Sequence, residues 1–522
     1  MKLTFIVAVA AFMAEVCEAQ LKTILSDFPV SEVTNARVYK PVIAPNGLNG
    51  SFAVSWGDSR LGTSNRSGGE GDIYGAIIGA DAKAITKNFK VDKISFSTSY
   101  ADFWLDYSYP LFLPDGTLVV AWHVEGTSVV YGIKSYDVYY SAFDAQGRSL
   151  GADVQINRSN TTTPGSGYRP SSVLIPPSTL LFVFEYSKDG ENIGGTTVNL
   201  SNGSIGNTFL ISDNALENRI LSFAASNGNH TIVVWTDGRS DPSKGDIYMQ
   251  RFVGANPSGG NVRVNADAAG GYNQFGKVAM APDGRFVIVW IDTRSNPGGD
   301  LYAQLFGSDG SRTGNEIKLT GSNSYFFTYP PGVAMDNSGN FVVAWTDSVP
   351  GHLFTAKTRA FSSSGSPLTG ILEVTNSFTT ARSGQVDVKA GSDGSLYYTW
   401  LDARLDPANG RIFAKVSSSI ATGIKEESVP EKFYLNQNYP NPFNPTTAIG
   451  YQLSAVSHVT LKVYDMLGRE VATLVDGQQN PGVYKVTFDG GKYSSGVYFY
   501  RIVATGNNGQ RFSAIKKLVL MK

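Results

Sequence analysis

The chain has 522 residues, 42% of them hydrophobic and 17% charged, with 43 Lys+Arg against 44 Asp+Glu, 56 Gly, 23 Pro, four His and one Cys. A balance this close to neutral excludes the basic excess of a nucleic-acid binder, and so few His and Cys give no basis for expecting a metal site or any other cofactor. Low charge with abundant Gly and aromatics points to strands and an exported protein rather than to a helical cytosolic enzyme.

Lys2 precedes an apolar run from Leu3 to Ala14 that is too short to span a bilayer, and Cys17-Glu18-Ala19 puts small residues where a signal peptidase reads. This predicts a signal peptide over residues 1–19, and a mature chain without Cys in which thiol catalysis is excluded. The alternative, a lipid anchor on Cys17, meets Val16 where a small residue belongs. No later stretch reaches about 18 consecutive apolar residues, so no transmembrane segment is expected.

A repeat governs residues 20–416. Trp235, Trp290, Trp345 and Trp400 are spaced by 55 residues, and each ends an apolar run such as Phe286-Val287-Ile288-Val289-Trp290. Trp56, Trp122 and Phe184 close similar runs upstream, which makes seven units. Gly50, Gly116, Gly284, Gly339 and Gly394 each stand six residues before their Trp, where a tight hairpin needs positive φ. A further strand opens after each Trp loop, as in Gly245-Asp246-Ile247-Tyr248, and a shorter one follows, as in Val262-Arg263-Val264-Asn265. With the strand before the glycine turn, such as Lys277-Val278-Ala279-Met280, each unit has four antiparallel strands. Four strands in 55 residues is a propeller blade, so the fold class expected is all-β, a seven-bladed β-propeller. The seventh unit lacks an outer strand, and Phe28 to Asn35 echoes the outer strand Ile371 to Asn376. The N-terminus is therefore expected to complete the last blade and remove its exposed edge.

Two features inside the repeat carry chemistry. Trp-x-Asp-x-Arg recurs with a second Asp downstream: Trp56/Asp58/Arg60 with Asp72, Trp235/Asp237/Arg239 with Asp246, and Trp290/Asp292/Arg294 with Asp300. Arg60, Arg239 and Arg294 are candidates for holding an anionic ligand, although a recurring Asp–Arg pair is more simply a hairpin clamp. Unit seven keeps Asp402 and Arg404 but has Arg411 in place of the second Asp. The other feature is the insertion from Phe96 to Phe112, rich in aromatics and holding Trp104, the one Trp outside the repeat. Trp104, Tyr107 and Tyr109, with Tyr325, Phe326 and Tyr329 of the connection before unit six, are candidates for stacking on a sugar or gripping a peptide; rings plugging the channel are the plain alternative.

The function expected is noncatalytic binding or adhesion, with a glycan or peptide ligand. The alternative is a secreted glycan-active hydrolase, sialidase-like or of another propeller glycosidase kind. Against it, the sialidase Asp-box is absent and the acids sit at repeat-equivalent positions; Asp102 and Asp106 in the insertion are the irregular ones.

After a polar linker at 417–430 the pattern changes. Tyr439-Pro440-Asn441-Pro442-Phe443-Asn444-Pro445, then Val459 to Val471 with Met466-Leu467-Gly468-Arg469, then Ser495-Gly496-Val497-Tyr498, and finally Lys516, Lys517, Leu518, Val519, Leu520, Met521 and Lys522 closely resemble the C-terminal type A sorting domain of the type IX secretion pathway. That resemblance implies an Ig-like β-sandwich over 431–522, a sorting signal in the last strand, the type IX translocon as partner, and delivery to the cell surface or the medium. The alternating runs at His458–Tyr464 and Gly482–Phe488 independently describe a small antiparallel sandwich.

Overall fold

The computed structural model describes residues 21–32, 36–60, 72–93, 100–104, 107–128, 134–157, 166–187, 191–213, 219–241, 244–266, 271–320, 329–347, 354–375, 383–420, 433–454, 456–479, 482–506 and 511–522. The signal-peptide segment lies outside them. The chain divides into two compact units, Met1–Thr422 and Gly423–Lys522, and among the described residues neither contains a helix.

The described residues of the first unit form seven small antiparallel sheets, four of them plain four-stranded meanders in chain order. The second strand of each sheet carries the repeat: Phe52–Asp58, Leu118–Ser128, Thr179–Ser187, His230–Asp237, Phe286–Asp292, Phe341–Asp347 and Leu396–Asp402. These strands read as unbroken apolar runs because they are covered on both faces. Each hydrophobic cluster of the unit draws on two successive sheets, so the core is divided among the sheet interfaces. Trp56, Trp122, Trp235, Trp290 and Trp400 are fully buried in these layers.

The first strands meet one another in turn. Val38–Pro45 packs on Ser108–Phe112, and Ser166–Ile175, Arg219–Ser226, Asn273–Met280, Gly332–Met335 and Ser383–Ala390 follow in order, the last packing back on Val38–Pro45. The contacts thus form a closed cycle, and the arrangement is propeller-like with these strands innermost. Gly332 shows how tight the centre is. A Cβ there would lie 2.8 Å from the Val388 nitrogen of the next sheet.

The seventh sheet takes its outermost strand from the N-terminus, with Phe28 opposite Ala414 and Leu25 opposite Val416. The pairing strand is Thr23–Pro29, however, so it starts earlier than the expected Phe28 to Asn35 and overlaps it at Phe28 and Pro29. Beyond Pro29 a side chain takes over from the ladder: the Ile412 amide donates to Ser31 Oγ at 2.9 Å while Val30 N still donates to Ile412 O. Residues 33–35 lie outside the described residues.

Five innermost strands carry a β-bulge at the same height. Lys40, Arg169, Leu221, Phe275 and Gln385 sit at the register shifts with φ between 50° and 60°, a region that non-glycine residues rarely adopt. The preceding sheet receives the freed amides. Leu221 N donates to Glu185, Phe275 N to Thr236 and Gln385 N to Thr346, at 2.7, 3.2 and 2.9 Å. Each acceptor is the residue directly after the Trp or Phe that ends the second strand's apolar run. At the closure Leu401 occupies that position, and Gln385 Oε1 accepts from Lys40 N instead. Thr346→Val, which keeps shape and removes the acceptor, is expected to cost about 1–2 kcal/mol in denaturant unfolding, the desolvation penalty of one unmet amide.

The second unit is a sandwich of two antiparallel sheets, one of Tyr434–Leu435, Thr446–Leu453 and Gly482–Asp489, the other of Ser457–Tyr464, Glu470–Gln479, Gly496–Gly506 and Arg511–Leu520. Alternate residues such as Val459, Leu461 and Val463 point into the shared core.

Candidate functional site

The Trp-x-Asp-x-Arg motif is a clamp. Asp58 accepts from Trp56 Nε1 at 3.2 Å, from Arg60 N at 2.9 Å and from Arg60 Nη2 at 2.6 Å. Asp237 does the same for Trp235 and Arg239, and Asp402 for Trp400 and Arg404. Asp292 holds Arg294 and the Trp290 indole, the latter at 3.4 Å. The reason is local: a buried indole N–H needs an acceptor, and a carboxylate two residues on supplies one that in turn needs a cation. Each guanidinium then lies over the ring of the following strand, Tyr74, Tyr248, Tyr302 or Phe413, at 3.9 to 4.5 Å. Burial raises the cost of charge on Asp237, yet hydrogen bonds from Arg239 and Trp235 and the charge of Arg219 hold its carboxyl below the usual range.

The second Asp belongs to a different pair. Asp72, Asp246 and Asp300 face the outer-strand cations Lys90, Arg263 and Lys318 at 2.9, 2.7 and 2.8 Å. In unit seven the outer strand comes from the N-terminus, and Arg411 there donates to the Ser31 carbonyl. Losing the second Asp therefore leaves the clamp of Asp402 intact. Arg60, Arg239 and Arg294 are all engaged in clamps, and none lines the pocket described next.

Register locates that pocket. Val42, Tyr109, Ser171, Phe223, Lys277, Gly332 and Asp387 each lie opposite the residue just before the Trp or Phe of their second strand, so they form one level around the cycle of innermost strands. Side chains at this level reach across to sheets that are not neighbours: Tyr109 of the second sheet packs edge-on against Phe223 of the fourth at 5.8 Å. Here the strands enclose a cavity of about 50 Å³, lined by Lys40, Pro41, Val42, Tyr107, Tyr109, Lys277, Tyr329, Pro330, Pro331, Gln385, Val386 and Asp387. It has room for a few water molecules.

The pocket is cationic and aromatic. Lys40 Nζ lies 3.9 Å from the Tyr107 ring centre and the Arg169 guanidinium 5.5 Å from it, while Tyr107 stacks on His123 at 6.1 Å. Arg169 is paired with Glu185 at 3.0 Å. Burial, then the charges of Arg169 and Lys40, push His123 down to about 3, so it is neutral at physiological pH. Lys277 is only 9% exposed; its ammonium lies 3.7 Å from the Phe223 ring centre and 5.7 Å from that of Tyr109. Burial pulls its pKa down to about 7, with Asp387 acting the other way and Lys389 adding to the depression. Asp387 is the one carboxylate among the lining residues.

Of the residues singled out by sequence, Tyr107, Tyr109 and Tyr329 come together in this pocket. Trp104 ends the strand Tyr100–Trp104, which pairs with the extended far end of Leu118–Ser128, so the aromatic insertion lengthens the second sheet beyond Trp122. The Trp104 side chain, with Tyr325 and Phe326, lies outside the described residues. Lys40 and Lys277 were not foreseen. The available signal was a lysine inside each of two innermost strands, next to Pro41-Val42-Ile43-Ala44 in one and Val278-Ala279-Met280 in the other.

In the second unit Leu518 and Leu520 are buried in the core, whereas Lys517 and Lys522 are exposed. The last strand pairs with Gly496–Gly506 on one edge and is held on the other by the proline-rich loop, through Phe443 N to Val519 O at 2.9 Å and Val519 N to Asn441 Oδ1 at 2.8 Å.

Residues 437–521 match the family model of the secretion system C-terminal sorting domain. The match supports type IX sorting and indicates export to the cell surface or the medium. No curated protein matches the chain significantly. Among solved structures the chain is similar to a protein of unknown function from Dyadobacter fermentans (12% identity, TM-score 0.45, covering 76% of this chain and 99% of that one). It is also similar to a GH93 α-L-arabinofuranosidase of Fusarium graminearum (14%, 0.40, 62% and 95%) and to a PL25 ulvan lyase (11%, 0.49, 76% and 98%). At these identities and scores no function is carried across.

Proposed function

We propose that this exported chain is a seven-bladed β-propeller over residues 20–416, clasped by its N-terminal strand and followed by a linker and an Ig-like sorting domain, and that the propeller is a noncatalytic glycan-binding module. The observation that carries the reading is the pocket where the innermost strands converge, with Tyr107, Tyr109 and Tyr329 beside Lys40 and Lys277. Flat rings around a cationic opening suit the apolar face and polar rim of a sugar. A hydrolase would need two carboxylates flanking the bond to be cut, and the pocket lining offers Asp387 alone. Asp102 and Asp106 have no described side chains.

The test is a glycan array with the full-length protein, followed by overnight incubation of each bound glycan and chromatography of the products. Binding without cleavage is expected. Tyr329→Ala should weaken binding by about tenfold with little change in melting temperature, the usual cost of removing a ring from a contact surface. Cleavage products would establish the hydrolase instead, and an array with no bound glycan would overturn the proposal.

A further inference from the structure

We infer that the axial pocket receives the acidic group of an anionic sugar, with Lys277 and Lys40 as the cations that meet it. This rests on the glycan-binding reading and narrows the ligand to a carboxylated or sulfated saccharide.

An ammonium carries three donors, yet among the described residues no carboxylate lies within 4.0 Å of Lys277 Nζ and no acceptor is in hydrogen-bond reach; its close contacts are the faces of Phe223 and Tyr109. Ring faces attract a cation but do not replace a hydrogen-bonding anion. Asp387, the lining carboxylate, is engaged elsewhere, accepting from Ile43 N at 3.4 Å and lying 3.9 Å from Lys389 Nζ. A buried ammonium in a largely apolar cavity, with no ion-pair partner in reach among the described residues, is a site completed by something from outside.

Shape selects among anions. With about 50 Å³ available, an acid group and a water or two fit while the body of the ligand stays at the mouth beside the tyrosines. A peptide is the poorer occupant. Peptide strands are usually recognised through main-chain hydrogen bonds, and Pro41, Pro330 and Pro331 put residues without an N–H in the lining.

The charged groups around the cavity are Lys40, Lys277, Lys389, Asp387 and, behind Tyr107, Arg169, Glu185 and His123. Of these Lys277 is held near neutrality and His123 stays uncharged, while a sugar carboxylate is ionised above about pH 5. Raising the pH from 6 to 8.5 therefore removes charge from Lys277, and affinity for an acid should fall by up to roughly thirtyfold.

Titration calorimetry of the full-length protein against trigalacturonate, its methyl ester, a sulfated carrageenan tetrasaccharide and hexaglutamate tests this. The inference expects at least one acidic sugar to bind at pH 6, with trigalacturonate at least tenfold tighter than its ester if it is the carboxylate that is taken. It also expects weakening at pH 8.5 and loss in Lys277→Met. The parent's pH profile gives the answer even where the variant folds poorly. Equal affinity for acid and ester with no binding of the sulfated sugar, a flat pH profile, or retained affinity in Lys277→Met would overturn the inference. Hexaglutamate binding as well as the best sugar would overturn the assignment to a saccharide. Failure of both acids, with neutral glycans still bound on the array, would sink the inference alone; no glycan bound at all would remove the reading beneath it as well.

Discussion

Asp237→Asn is expected to lower the stability of the first unit by about 3–5 kcal/mol at pH 7, the usual cost of taking one charge from a buried, hydrogen-bonded ion pair. Asp237 compensates two guanidiniums. Arg239 is the clamp partner, and Arg219 is 0% exposed and donates to Asp237 Oδ2 at 3.0 Å. Arg219 also donates to the neutral amide oxygen of Asn192 at 3.2 Å, which does not replace the lost charge. Asp58→Asn makes the comparison: Arg60 keeps a second carboxylate in Glu32 at 3.6 Å, as Arg239 does in Asp213 at 2.8 Å, but Asp58 has no counterpart of the fully buried Arg219 among the described residues; its cost should be about half. The sign with pH follows from the depressed carboxyl of Asp237. A group whose folded pKa lies below its unfolded value contributes stability above the unfolded pKa and loses it as pH falls through the folded one. The gap between parent and Asp237→Asn in denaturant melts should therefore be full at pH 7 and shrink in strong acid. Equal losses at Asp237 and Asp58 would mean that Arg219 does not depend on the clamp.

The clamp also shows why much of the fold was legible. A second strand covered on both faces must be apolar throughout, and the indoles of Trp56, Trp235, Trp290 and Trp400 each donate to an Asp two residues on, so Trp and Asp recur together at fixed spacing; Trp122 donates to Ser141 instead, and Trp345 Nε1 has no acceptor among the described residues. That made the seven apolar runs and their turns readable without coordinates. The closing strand was misplaced because Phe28 to Asn35 resembles an outer strand in composition, whereas the register is set by Leu25 and Phe28 packing beside Val416 and Ala414. The pocket was legible only in part. Tyr107, Tyr109 and Tyr329 stood out as aromatics in irregular connections. Lys40 and Lys277 did not, because their importance comes from strands distant in sequence that converge at one level, and from bulges at non-glycine residues that leave no mark in the chain. The sorting domain was readable from its motifs, and the core position of Leu518 and Leu520 adds a consequence: deleting the last strand would remove core from the second unit, whatever it does to sorting.

If Lys277 is held in the pocket for a ligand, it is held there at a cost to the folded state, and the stability of Lys277→Met against pH measures that cost most directly. Its pKa of about 7 lies below the ordinary 10.5, so the folded state binds fewer protons than the unfolded state between those values and stability rises with pH across the window. Below pH 7 the full penalty of a buried charge applies. A shift of that size is worth at most about 5 kcal/mol between the charged and neutral forms, and attraction to Phe223 at 3.7 Å favours the charged form and so keeps the penalty below that figure. Lys277→Met, close in volume and without charge, is therefore expected to be about 2–3 kcal/mol more stable than the parent at pH 6, with the difference fading by about pH 10. A variant less stable than the parent at pH 6 would make Lys277 a structural residue and contradict the account.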